Sequence, residues 1–172
     1  MKTAQLVAPL FLAVIAITPI FAQEGEFSGK VMHVKDGDSI VVMHGDKEEE
    51  IRLNGIDCPE KNQPFGSEAT QKTTELCSDK TVSVKTHGLD QYHRTIGDVF
   101  LPDGKELNYE LVRTGYAWWY RKYAPGNKEL ESLEQSARDQ HLGLWAERLP
   151  VAPWMWRHGV RNLPNNQLNS SE

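Results

Sequence analysis

Cysteine is scarce: Cys58 and Cys77 are the only two, and no CxxC pair offers zinc a ligand pattern. Positive charge is also short. Against 24 Asp and Glu stand 19 Lys and Arg, a formal net charge of −5 with a pI near 5.7. Bulk basic charge is therefore excluded as a route to a polyanion, and any such site has to be local. His33, His44, His87, His93, His141 and His158 fall into no ligand spacing and read as surface or core residues. No internal repeat is visible, and with 39% hydrophobic and 25% charged residues the chain is neither coiled coil, collagen-like, acidic tail nor polytopic membrane protein. Its 172 residues fit one domain with room for a sizeable core.

What is present begins with a leader. Lys2 precedes twenty uncharged residues, 3–22, closing on Ala22 before a polar run. A positive start, an apolar body and a small boundary residue describe a secretory signal peptide, with cleavage expected after Ala22. The alternative is an uncleaved anchor, which Pro9 and Pro19 disfavour. The expected layout is leader 1–22, folded domain 23–150 and a partly mobile tail 151–172 in which Trp154 and Trp156 clamp the barrel surface. Export to the periplasm or the medium is expected, with no membrane contact in the mature form. An oxidising compartment permits a Cys58–Cys77 disulfide, worth about 3 kcal/mol by chain entropy. Two free, half-buried thiols are the other possibility.

Along the mature chain, residues 27–35, 39–43 and 48–53 read as three strands joined by the turns Asp36-Gly37-Asp38 and His44-Gly45-Asp46. Residues 66–77 carry Ala69, Thr73 and Leu76 at helical spacing, with Ser67 in capping position. Strands follow at 81–84 and 96–101, then helices at 106–114 and from Asn127, their cap, through 128–141. The fold class is α+β, mainly β: a five-stranded OB-fold barrel with three helices.

Four clusters carry chemistry: Asp36-Gly37-Asp38-Ser39, Arg52, Asp57-Cys58-Pro59-Glu60 and Tyr92-His93-Arg94. Singly each has a bland reading as turn, loop or ion-pair partner. Asp36-Gly37-Asp38 opens no EF-hand, because Lys47 stands where that loop needs Glu. In a small barrel, however, strand ends converge on one rim, which gathers carboxylates and two guanidiniums. Carboxylates with a backbone carbonyl suit a hard cation such as Ca²⁺. The arginine fork matches two phosphate oxygens. A carboxylate clear of the metal can orient or deprotonate water. Together these are the parts of metal-assisted phosphodiester hydrolysis.

At these residues the sequence resembles the staphylococcal nuclease family. The matching segments are V-K-D-G-D-S (34–39), I-R-L-N-G-I-D-C-P-E (51–60), D-Q-Y-H-R (90–94), L-V-R-T-G-Y-A (111–117) and G-L-W (143–145), in the family's order and spacing. The resemblance implies an OB-type barrel with three helices and Ca²⁺-dependent endonucleolytic cleavage of DNA and RNA at the P–O5′ bond, leaving 3′-phosphates. It implies Asp38, Asp57 and the main-chain carbonyl of Cys58 as calcium ligands, with Asp36 one step removed. Glu60 matches the carboxylate credited with activating water, and Arg52 and Arg94 match the phosphate-binding arginines. Tyr92 matches an aromatic at the nucleotide pocket. No protein partner is implied, and a monomer is expected.

Three departures stand out. Cys58 and Ser39 each replace a threonine, and the run Trp118-Trp119-Tyr120-Arg121-Lys122-Tyr123 differs most. Tyr120 or Tyr123 is expected to pack on the nucleotide, with an indole as a possible platform and Arg121 and Lys122 as backbone contacts. Two other readings remain: a non-catalytic nucleic-acid-binding OB module, and an envelope protein whose acid–arginine pairs are only salt bridges. Retention of all five charged residues argues against the first.

Overall fold

Alternating burial builds the barrel wall. In the computed structural model, which describes residues 25–162, strands β1 (Glu26–Asp36), β2 (Ser39–His44) and β3 (Lys47–Leu53) turn Val31, Ile40, Val42, Ile51 and Leu53 inward. The expected leader and the tail beyond residue 162 lie outside the described residues. After the short strand β4 (Ile56–Asp57) and helix α1 (Gly66–Cys77), strands β5 (Thr81–Leu89) and β6 (Thr95–Phe100) add Val82, Val84 and Val99. Period-two burial of this kind leaves one face dry and the other wet, except in β2, where Ser39, Ile40, Val41 and Val42 are all buried.

The five long strands close in the order β1-β2-β3-β6-β5, with β5 returning to β1. All neighbours are antiparallel except β3 and β6, which run parallel through Ile51↔Thr95, Arg52↔Ile96 and Leu53↔Gly97. Register shifts in β1 and between Thr86 and Leu89 supply the local bends that closure needs. This is the expected OB-type barrel.

Helices α2 (Leu107–Arg113) and α3 (Lys128–Asp139) follow, with the two-residue strand β7 (Trp118–Trp119) between them pairing antiparallel with β4. A 3₁₀ turn (Gly143–Ala146) leads to α4 (Pro153–Arg157), a fourth helix where three were expected. Asn127 caps α3, its Oδ1 accepting from the backbone N–H groups of Glu129 and Leu130 at 3.1 and 3.0 Å. Ser67 does not cap α1. The helix begins at Gly66 behind Phe65, whose φ of 67° puts it in the left-handed region, and the Ser67 hydroxyl donates to Glu68 instead.

One core fills the barrel and the space under α1 and α2, around Ile40, Ile51, Leu53, Leu107 and Leu111. Burying each such side chain contributes about 1.5–3 kcal/mol. A second cluster joins Trp118, Ala137, Leu144, Trp145 and Ala152, with Phe65, Trp154 and Met155 packed against it. Through it the folded unit continues past residue 150: Val151, Ala152 and Pro153 are buried. Among the described residues no helix is long and apolar enough to cross a membrane.

The Cys58–Cys77 bridge is not formed; both are free, buried thiols. Cys58 packs at the level of Gly37 and Ala69, where a side chain on Gly37 would strike the Cys58 Cβ at 2.7 Å and the Ala69 Cβ at 3.0 Å. Cys77 lies two turns further along α1, about 12 Å by helical rise, past the span a disulfide bridges. Its Sγ donates to the Thr73 carbonyl at 3.1 Å. Burial pushes the Cys77 thiol up to about 12 and raises the Cys58 thiol as well.

Candidate active site

The turn between β1 and β2 sets the first carboxylate. Asp36 Oδ1 accepts from the backbone N–H of Asp38 at 3.2 Å, closing an Asx turn that aims the Asp38 side chain across the barrel end. Asp38 Oδ2 then accepts from the backbone N–H of Cys58 at 2.7 Å and faces Arg52 Nη2 at 3.2 Å. Asp57 is held by the pairing of β4 with β7, where it lies opposite Trp118. Its Oδ1 accepts from Arg52 Nη2 at 2.9 Å, so one guanidinium spans both aspartates. Arg52 also donates through Nη1 to the carbonyls of Leu53 and Ile56, which locks the fork in place.

Burial dominates the electrostatics here. It pushes the Asp38 carboxyl up to about 7; Arg52 pulls it back, while Asp57 and Asp36 add to the rise. Asp57 is also raised by burial, against the pull of Arg157 and Arg52. Burial opposes the charge on Arg52, yet Asp38 and Asp57 together hold it above its ordinary value. Arg52 and Arg157 bring two positive charges against the carboxylates of Asp36, Asp38, Asp57 and Glu60, so the site remains short of positive charge.

Glu60 sits where the chain folds back toward α1. Gln63 N–H donates to the Glu60 carbonyl at 2.8 Å, and a side chain on Gly66 would meet that carbonyl oxygen at 1.9 Å. Only glycine allows this approach. Opposite, Arg94 stands just ahead of β6. Its Nε donates to Asp90 Oδ2 at 2.7 Å and its Nη1 reaches Ser39 Oγ at 3.3 Å.

Asp38, Arg52, Asp57, Glu60 and Arg94 all line one cleft of about 1060 Å³, together with Asp36, Cys58, Tyr92, Tyr120 and Tyr123. The expected site residues are therefore gathered at one place. Tyr92 and Tyr123 are 70% and 62% exposed, open to a ligand. Tyr120 stacks on Trp154 with ring centroids 5.0 Å apart and meets Tyr123 edge-on. The indoles of Trp118 and Trp119 are not platforms: both are buried, the first among Trp145 and Trp154 and the second donating to the Ala124 carbonyl. Arg121 is committed to buried Glu134 at 3.0 Å and to the face of Trp119.

Two residues escaped the sequence reading. Asp90 anchors Arg94 and lies inside a matching segment, where an acid four residues before an arginine was the available signal. Arg157, at the end of α4, bonds both Asp57 oxygens and Glu60. Nothing in the local sequence marks it.

For a hard cation the donor set is suitable: two buried carboxylates short of positive charge, and the Cys58 carbonyl next in the chain. Among the described residues no three His, Cys, Asp or Glu side chains form a metal cage. The remaining oxygens of a six- to eight-fold shell would come from water and substrate.

Comparison with known proteins extends the match well beyond these residues. The family described as Staphylococcal nuclease homologue matches residues 50–147. An uncharacterized endonuclease of Escherichia coli O157:H7 is 43% identical over 133 residues, covering 77% of this chain and 86% of the relative. A micrococcal nuclease of Shigella flexneri is 36% identical over 162 residues, 89% of this chain and 92% of its own. With its OB-type barrel and this shared sequence, the chain belongs to the staphylococcal nuclease family.

Proposed function

We propose that this protein is an exported, monomeric endonuclease that hydrolyses phosphodiester bonds of DNA and RNA with Ca²⁺, leaving 3′-phosphates. The nuclease reading follows the family and its nuclease-named relatives. The observation that carries the chemistry is the meeting of Asp38, Asp57, Glu60, Arg52 and Arg94 on one cleft. Export rests on the leader alone.

Asp38, Asp57 and the Cys58 carbonyl would hold Ca²⁺, which when bound offsets charge at the phosphate and acidifies a nearby water. Arg94, its Nε and Nη2 paired with Asp90 Oδ2 and its Nη1 within 3.3 Å of Ser39 Oγ, lines the cleft and grips phosphate oxygens with its remaining N–H bonds as charge builds in the transition state. Arg52, fastened to two carbonyls and both aspartates, is a rigid second positive charge. Glu60, with 38% of its side chain exposed, faces water and is the carboxylate that orients and deprotonates the attacking molecule. Tyr92, Tyr120 and Tyr123 line the walls and offer faces to the flanking bases and sugars.

The test is digestion of plasmid DNA and of RNA by the purified protein in Ca²⁺ and in excess chelator, with Glu60→Gln alongside. Cleavage that needs Ca²⁺, collapses in the variant and leaves 3′-phosphate ends supports the reading. A folded protein that cuts nothing with any divalent ion overturns it in favour of a binding module.

A further inference from the structure

Arg157 lies ten residues past the end of the family match, which stops at residue 147. Its guanidinium nevertheless makes three bonds inside the cleft. Nη2 donates to Asp57 Oδ2 at 2.7 Å, and Nη1 to Asp57 Oδ1 at 3.2 Å and to Glu60 Oε1 at 2.6 Å. The Asp57 side chain is 2% exposed, so this fork closes over a desolvated carboxylate. With Arg52 also on Oδ1, guanidiniums fill three of the roughly four acceptor positions Asp57 has.

Displacing Arg157 would strip a partner from one buried oxygen, Asp57 Oδ2, which is the oxygen left for a cation. Asp57 Oδ1 keeps Arg52, and the Glu60 side chain is 38% exposed to water. What they share is the face of the cleft where the calcium reading puts the cation. A divalent ion on Asp57 and a guanidinium on the same two oxygens repel at close range, and burial weakens the screening between them.

The mounting of Arg157 suits an exchange. Its backbone is fixed: Ala152 and Pro153 are buried, Trp154 stacks on Tyr120, and Trp156 Nε1 donates to Asn62 at 3.1 Å. Gln63, next to the Glu60 turn, donates through Nε2 to the Val151 carbonyl at 2.6 Å. The side chain itself is 41% exposed and stands at the last position of α4. It can rotate into solvent while the helix stays docked.

We propose that Arg157 is the resting counter-ion of Asp57 and Glu60, which a divalent cation must displace, and that this competition sets the site's cation affinity. The inference rests on the calcium reading above and adds a residue to it. Bound, Arg157 keeps the two carboxylates paired; displaced, it frees Glu60 for water and leaves a positive side chain at the rim.

The test uses the full protein without nucleic acid. Ca²⁺ binding is measured by titration calorimetry for the wild type, Arg157→Gln and Arg157→Lys, and the rate of phenylglyoxal labelling at Arg157 is mapped by mass spectrometry in chelator and in saturating Ca²⁺. Arg157→Gln is expected to bind Ca²⁺ at least tenfold more tightly than the wild type, with Arg157→Lys between them. Wild-type Arg157 is expected to label faster in Ca²⁺. Equal or weaker binding by Arg157→Gln overturns the proposal while leaving the calcium reading intact. Absence of binding by all three folded chains overturns both. Should Arg157→Gln not fold, an unchanged labelling rate in the wild type is enough to overturn it.

Discussion

Asp90 holds Arg94 from both ends of the residue: Oδ1 accepts from the Arg94 backbone N–H at 2.9 Å, and Oδ2 from its side-chain Nε at 2.7 Å. One carboxylate thus sets the backbone turn into β6 and the aim of the guanidinium. Asp90 Oδ1 also accepts from the Tyr92 N–H at 2.8 Å, which carries the cleft tyrosine on the same turn.

From this arrangement, Asp90→Asn is expected to fold and to lose turnover roughly 10- to 100-fold, the worth of one hydrogen bond to a charged group. Arg94→Lys is expected to lose about 100- to 1000-fold, because an ammonium cannot make the two-pronged contact. Steady-state cleavage rates with circular dichroism as a folding control check both. Wild-type rates from Arg94→Lys would remove it from phosphate binding.

Glu106, at the start of α2, gives a pH test away from the cleft. Burial pushes its carboxyl up to about 7 from 4.5, Asp98 and Glu129 add to the rise, and Lys85 opposes it. The folded chain therefore binds this proton more tightly than the unfolded chain. Its effect is to lower stability as pH rises from 4.5 to 7, with the full penalty above that. Glu106→Gln is expected to be more stable than the wild type at pH 8, by about 1 kcal/mol once solvent screening is allowed for, and level with it near pH 4. Urea midpoints at the two values check the sign.

Both cysteines are free and buried, so reductant is expected to leave the melting temperature unchanged, and thiol reagents to react only on unfolding. Cys58→Thr is expected to be tolerated in activity, since under the proposed calcium site only the main-chain carbonyl of this residue would meet the cation. A reductant-sensitive melting temperature would show a bridge.

Gly66→Ala would drive a methyl into the Glu60 carbonyl. A loss of about 1–3 kcal/mol is expected, with a fall in activity beyond the change in folded fraction, because the displaced residue is Glu60 itself. Comparing the two losses at matched temperature separates them.

Much of this was legible before the fold. Period-two burial in β6 and the second half of β3 follows the apolar alternation, and Asp36-Gly37-Asp38, Arg52, Asp57, Glu60 and Arg94 stand in short motifs whose residue types state their chemistry. What escaped depends on contacts between distant segments. Strand β7 has two residues, too few for any period, and exists because β4 pairs with it. Phe65 adopts a left-handed turn that a bulky residue rarely takes, and this displaced Ser67 from the cap. The indole platform offered beside Tyr120 and Tyr123 is absent because Trp145 draws Trp118 into the second core while Trp119, its backbone N–H on Glu134, joins the main one. Arg157 meets Asp57 only because Val151, Ala152 and Trp154 dock. No spacing rule reaches across a domain.

The single parallel pairing, β3 with β6, joins segments separated by a helix and two strands, and it sets Arg52 beside the strand that Arg94 leads into. Parallel pairing between distant segments forms late in folding, after local hairpins such as β1–β2–β3. Asp38 and Arg52 can come together early within the first part of the chain, while Asp57 is set only when β7 pairs with β4 and Arg94 joins only when the barrel shuts. A partly folded chain is therefore chemically incomplete, and recovery of activity on refolding is tied to the last closure of the barrel.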